Sequence, residues 1–273
     1  MKILKEAGGV ALPVMGLGTW RLGEDAAQRA REMRAIHRAI ELGVTLFDTA
    51  EIYGGGQSEQ LLGEAVAGRR GGLQLVSKVA PSHASKQGTL RACEASLKRL
   101  GTDYLDLYLL HWIEDIPVEE TTEAFEQLKA QGKIRAWGVS NFDVEDMAAL
   151  VPGCAANQVL YNPQSRGIEF NLLPWCERAG IPIMAYTPLG QHGAVLNSPA
   201  IKHAAGRHGA TPGQIALAWG LRQPGVVSIP KTGNPARVEE NLGALEIRLT
   251  AEDLAEIDAA FPPPREAVPL EML

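Results

Sequence analysis

Short apolar runs alternate with amphipathic stretches along most of the chain. Residues 15–18, 44–48, 73–78, 104–110, 135–140, 157–160, 181–186 and 225–229 form eight runs of strand length. Helical spacing of apolar residues falls between and after them, at 26–42, 58–67, 87–100, 119–131, 143–151, 172–179, 199–221 and 235–243. In the first of these segments Ile36, Ile40 and Leu42 are among the apolar positions, and Gly43 suits a helix C-terminus. The segment 199–221 is broken at Gly209 and Pro212. Strict alternation of strand and helix predicts a parallel sheet, because parallel neighbours need a crossover, and eight repeats predict closure. The expected fold is therefore α/β, a (β/α)8 barrel. Two additions flank it. Residues 2–5 and 10–14, split by Gly8 and Gly9, predict an N-terminal β-hairpin. Residues 251–260 predict an extra C-terminal helix, with Thr250 and Asp253 as its N-cap signal and Pro262 to Pro264 as its stop.

Length and charge narrow the function classes. At 273 residues the chain fits one barrel domain, 1–273, since such barrels commonly run to about 250 residues. The net charge of −6, with no basic stripe, argues against nucleic acid as a partner, and any anionic cofactor must find its cations locally. Cys93, Cys154 and Cys176 are too few and scattered for a disulfide framework or a zinc site, so reduced thiols and no metal are expected. No signal-peptide h-region follows Met1 and no run approaches membrane-spanning length, which predicts a cytoplasmic protein without membrane contact.

Candidate chemistry gathers where the runs end. Asp48 and Tyr53 follow the second run, Lys78 closes the third and His111 follows the fourth. A parallel barrel converges side chains at that face. A phenol is a poor acid at neutral pH unless a cation stabilises its anion. A charge at about 4 Å in an effective dielectric of about 20 is worth at most ~4 kcal/mol, so Lys78, offset in part by Asp48, is expected to depress the Tyr53 pKa by ~1–3 units.

Several motifs, in order, resemble the aldo-keto reductase family: FDTAEIYG (47–54), LKRLGTDYLDLYLLHW (97–112), GKIRAWGVSNF (132–142), NQVLYN (157–162), AYTPLGQ (185–191) and IPKTGNPARVEEN (229–241). The resemblance implies a TIM barrel whose bottom is capped by the hairpin and which itself binds NADPH/NADP+. It implies Tyr53 as proton donor, Lys78 as its cation, Asp48 as the partner of Lys78, and His111 as the group orienting the carbonyl. Ser140, Asn141 and Gln158 match positions that bond the nicotinamide carboxamide, and Tyr186 the aromatic that stacks on its ring. Thr187, Pro188, Leu189 and Gln191 match the loop over the pyrophosphate. After the eighth strand, Pro230 leads into Lys231, Thr232, Asn234 and Arg237. There Lys231, Thr232 and Arg237 match the grip on the adenosine 2′-phosphate, and Glu240 and Asn241 the adenine contacts. Thr19 and Trp20 fall near the nicotinamide. Trp20, Tyr53, His111 and Trp112 are the expected substrate wall. Small reactive carbonyls such as methylglyoxal are the implied substrates, and a monomer the implied state.

Gly16-Leu17-Gly18 lacks the third glycine of a dinucleotide fingerprint, which argues against a Rossmann domain. The Gly54-Gly55-Gly56-Gln57-Ser58-Glu59 stretch is wider than the spacing in many family members, and Thr187 replaces a frequent serine. The short 111–119 segment and the short tail after Pro264 predict an open mouth. Two rival readings remain: a class I aldolase using Lys78 as a Schiff-base nucleophile, and a regulatory barrel that binds cofactor without turnover.

Overall fold

Eight parallel strands follow one another around a single curled sheet in the order β1 to β8, as the computed structural model, which describes residues 9–273, shows. The strands are β1 (Leu17–Gly18), β2 (Leu46–Asp48), β3 (Gln74–Val79), β4 (Leu105–Leu110), β5 (Ile134–Ser140), β6 (Cys154–Leu160), β7 (Ile183–Tyr186) and β8 (Val226–Ser228). Closure is made by the segments around β1 and β8: Gly16 N donates to Ser228 O at 2.9 Å, Gly18 N to Pro230 O at 3.1 Å, and Ser228 N to Val14 O at 2.9 Å. All eight expected barrel strands are present, while residues 10–14 carry isolated bridges and no strand. Residues 1–8, and with them the first arm of the predicted hairpin, lie outside the described residues. Val10 and Leu12 of its second arm are buried in the barrel's inner apolar cluster.

The outer ring contains α1 (Arg29–Glu41), α2 (Gln57–Val66), α3 (Lys86–Leu100), α4 (Val118–Ala130), α5 (Val144–Ala149), α6 (Leu172–Ala179), α7 (Ala194–Asn197), α8 (Pro199–His208), α9 (Pro212–Leu221) and α10 (Pro235–Leu242), followed by α11 (Ala251–Ala260). The expected break within 199–221 separates α8 from α9: Gly209 adopts φ 58°, and Thr211 with Gln214 forms a capping box ahead of Pro212. Thr250 and Asp253 form another at α11. The short α7 has no counterpart in the sequence reading, since four residues are too few to show a period. Among the described residues, no helix is long and apolar enough to cross a membrane.

Alternation along the strands builds two cores. Phe47, Leu75, Tyr108 and Trp137 point outward, into the main cluster shared with the helices. Leu46, Val76, Leu109, Ala156, Met184 and Val227 fill the barrel interior. Each such fully buried large apolar side chain contributes about 1.5–3 kcal/mol over exposure. The residue two positions beyond each interior residue shares its inward parity but stands one layer higher, at the C-terminal mouth. Those residues are Asp48, Lys78, His111, Gln158, Tyr186 and Ile229. The apolar layer is thus the floor on which the polar residues stand.

Candidate active site

Lys78 is fully buried on that floor and is surrounded by acceptors. Its Nζ donates to Asp48 Oδ2 at 2.9 Å, Thr49 O at 2.7 Å and Tyr53 Oη at 3.1 Å. An ammonium has three N–H donors and no acceptor, so all of its donors are used. Burial is the largest influence on Lys78 and lowers its pKa, but the charges and hydrogen bonds of Asp48 and Tyr53 outweigh it, and the net direction is upward. Lys78 is therefore a cation. A Schiff-base nucleophile must be neutral, so the arrangement opposes the aldolase reading.

The Tyr53 hydroxyl accepts from Lys78, and its own hydrogen is left to point elsewhere. One expectation is corrected here. Tyr53 is not made more acidic than a free phenol: burial raises its pKa above the usual value, Lys78 pulls it down, and Asp48 pushes it up again, for a net rise. Desolvation, invisible in the sequence, outweighs the cation. Tyr53 is thus a protonated phenol beside a cation ready to stabilise its anion. The His111 ring meets Tyr53 edge-on with centroids 5.7 Å apart. Burial, then Lys78, push its pKa down to about 2, so it is a neutral imidazole. Among the described residues, its buried Nδ1 has no hydrogen-bond partner.

These groups open into a cleft of about 480 Å³, a size suited to a small-molecule site. Asp48, Tyr53, His111, Trp112, Ser140, Asn141, Gln158 and Tyr186 line one part of it. Trp20, Thr187, Pro188, Leu189, Pro230 and Lys231 line another part. Gln158 O accepts from Ser140 Oγ and from Asn141 N, both at 2.9 Å. Asn141 Nδ2 donates to His111 O at 3.1 Å, and Asn141 Oδ1 accepts from Tyr186 Oη at 2.9 Å. Tyr186 is pushed up to about 12, chiefly by burial. Asn141 and Thr187 have φ of 60° and 50°, strained values for residues other than glycine, and such strain clusters at functional sites.

Other expected site residues lie outside the cleft lining. Thr19 is buried beneath it, donating from N and Oγ1 to Asp48 O at 2.9 and 3.0 Å. Gln191 follows the lining stretch of its loop. Thr232, Asn234, Arg237, Glu240 and Asn241 continue past Lys231 onto α10. Asn234 Oδ1 caps that helix by accepting from Ala236 N, and Glu240 Oε1 accepts from Thr211 Oγ1 at 2.7 Å.

The sequence reading missed Gly18, Glu24, Ile52, Gly54, Gly190, Ile229 and Leu273, which also line the cleft. The tail after Pro264 returns across the top of the barrel, placing Leu270 on the main core and Leu273 in the cleft. No period in the tail signals that path. Gly54 did carry a signal: the three consecutive glycines adopt φ of 56°, 60° and 94°, a turn closed to bulkier residues. A Cβ on Gly54 would come within 2.6 Å of Glu24 Cγ.

The pattern of the Aldo/keto reductase family matches residues 14–261. The chain is 48% identical over 281 aligned residues to methylglyoxal reductase YeaE of Escherichia coli (strain K12), an alignment covering 100% of this chain and 99% of that protein. Glyoxal reductase of Bacillus subtilis (strain 168) is 36% identical over 258 residues, covering 92% and 90%. A crystal structure of an aldo-keto reductase from Klebsiella pneumoniae in complex with NADPH superposes with a TM-score of 0.95 at 49% identity, covering 100% and 99%. With relatives aligned along its whole length and the family pattern running through all eight strands, the chain belongs to the aldo/keto reductase family.

Proposed function

We propose that the protein is an NADPH-dependent reductase of small aldehydes and ketones, with methylglyoxal among its substrates, and that Tyr53 donates the proton. The observation that carries this reading is the state of Lys78. With all three of its donors engaged, the Tyr53 oxygen can only accept from it, and the phenolic hydrogen is free for a carbonyl in the cleft. NADPH, when bound, supplies the hydride that reduces the carbonyl carbon. As charge develops on the carbonyl oxygen, Tyr53 passes its proton to it, since an alcohol is a far weaker acid than a phenol. The resulting phenolate lies 3.1 Å from Lys78, which stabilises it until water restores the proton. Neutral His111 supplies a hydrogen bond that orients the carbonyl, and Asp48 fixes Lys78.

The cleft suits the cofactor. Polar side chains gather at the tetrad end, and Lys231, with Arg237 beyond it, stands near the N-terminus of α10, where a helix dipole favours an anion. Ser140, Asn141, Gln158 and Tyr186 would hold the nicotinamide. Thr187, Pro188, Leu189 and Gln191 would cover the pyrophosphate, and Lys231, Thr232 and Arg237 the 2′-phosphate. Glu240 and Asn241 would reach the adenine. Trp20, Trp112 and the returning Leu273 leave room for a small carbonyl. The relatives that reduce methylglyoxal and glyoxal support that substrate class. We read the chain as one domain acting as a monomer, and its three unpaired thiols suit the reducing cytoplasm.

The test is a panel of methylglyoxal, short and aromatic aldehydes and steroid ketones, each with NADPH and with NADH, followed by cofactor absorbance. Turnover fastest with small electrophilic carbonyls and NADPH is expected. A steroid with the higher kcat/KM would refute the substrate class. Cofactor binding without turnover on any carbonyl would revive the regulatory reading.

A further inference from the structure

Gln158 does more than line the nicotinamide end of the cleft. It stands on β6, across the barrel from β2, and its side chain spans the lumen above the apolar floor of Leu46, Val76, Ala156 and Met184. Its Nε2 reaches Asp48 Oδ1 at 2.8 Å, while Asp48 Oδ2 faces Lys78 at 2.9 Å. Two acceptors would repel, so the carboxylate fixes which end of the amide faces it. The side chain is anchored from behind: the Gln158 backbone carbonyl takes hydrogen bonds from Ser140 and Asn141. Among the described residues, nothing donates to Gln158 Oε1.

We infer that Gln158 is a positioning residue for proton transfer, holding Asp48 by its second oxygen so that Lys78 stays on Tyr53. This inference rests on the reading of Tyr53 as the proton donor. Rotation about the last torsion of an aspartate is broad unless both oxygens are held, and here one neighbour holds each. Without the amide, the buried Asp48 carboxylate has one side-chain donor left and turns both oxygens toward Lys78. That draws Nζ off Tyr53 and spends more of its charge on Asp48. The phenol then loses its cation, although Gln158 never touches it. Asparagine, one methylene shorter, falls short of the chord from β6 to β2.

The test is a double-mutant cycle on the full chain with Gln158→Met, Asp48→Asn and the pair. It is read as kcat at saturating NADPH and, separately, as NADPH Kd from the quenching of tryptophan fluorescence. Gln158→Met is expected to lower kcat about 10-fold or more, the size of one hydrogen bond to a charged group. In the pair, the loss should be no greater than with Asp48→Asn alone, because the two act as a unit. Multiplying losses would overturn the inference, as would an unchanged kcat with only a weaker Kd. Should Gln158→Met not fold, Gln158→Ala, whose truncation opens into the cleft, carries the same cycle. If Asp48→Asn and Tyr53→Phe each kept wild-type kcat, the proton-donor reading itself would fall; additive losses with both of those variants impaired would defeat only the role of Gln158.

Discussion

The two ends of the cleft are built on different terms. At the tetrad end Asp48 and Lys78 are buried, every donor of Lys78 is used, and Asp48 is held at both oxygens. At the other end Lys231 and Arg237 are exposed, and Asn234 and Glu240 serve α10 and its neighbours through their own hydrogen bonds. One end is ordered by the protein alone. The other offers charges that an anion would have to organise. The difference assigns separate kinetic roles: changes at the first end should be felt in the chemical step, and changes at the second in cofactor affinity.

The largest effect is expected at Lys78. Lys78→Met should lower kcat by at least the ~10²–10⁴-fold typical of general acid catalysis, with NADPH Kd changed only a few-fold. Stopped-flow reduction and fluorescence titration would separate the two, and a loss confined to Kd would erase the contrast between the ends. Covalent trapping of a carbonyl substrate on Lys78 by borohydride would restore the aldolase reading.

Arg237→Ala should act at the opposite end. A charge-assisted hydrogen bond is worth about 1.5–3 kcal/mol, so NADPH affinity should fall roughly 10- to 150-fold while NADH affinity stays where it was. Equal wild-type affinities for the two cofactors would show that the loop after β8 does not read a 2′-phosphate. A smaller effect, a few-fold, is expected for Trp112→Ala, whose ring packs on His111 with centroids 4.7 Å apart. It should change kcat/KM unequally for aromatic and aliphatic aldehydes; a uniform change would make Trp112 a support for His111 and no wall of the pocket.

A separate effect concerns pH and is read in stability instead of turnover. His111 is held near 2 in the folded chain by burial and by Lys78, against about 6.5 when unfolded. Above about pH 6.5 neither state binds its proton and the group is silent. As pH falls from there toward 2, only the unfolded chain takes up the proton, so the His111 contribution lowers stability progressively. Urea denaturation at pH 7 and pH 5 should show a smaller drop for His111→Gln than for the wild type. An equal drop would mean that His111 is charged in the fold.

How much of this was legible in the sequence differs between the same two ends. Strand-length runs and the two-residue parity of a strand place Asp48, Lys78, Gln158 and Tyr186 at the mouth, and the breaks at Gly209 and Pro212 mark a helix boundary with no tertiary information. Three things depended on packing. The upward shift of Tyr53 comes from desolvation, which no motif encodes. The contact of Gln158 with Asp48 joins residues on opposite sides of the barrel. The return of Leu273 to the cleft follows a path without regular structure. At the far end, the hydrogen bonds of Asn234 to Ala236 and of Glu240 to Thr211 also depend on packing, since polar residues on a loop look alike in the sequence.

The central claim is that Lys78 leaves the Tyr53 proton free for the carbonyl, and Tyr53→Phe with methylglyoxal tests it most directly. NADPH binding and single-turnover NADPH oxidation would be measured on the same preparation. The account predicts wild-type affinity for NADPH, since the nucleotide end is untouched, with reduction slowed by at least ~10²-fold. Reduction at the wild-type rate by a protein lacking that hydroxyl would contradict it.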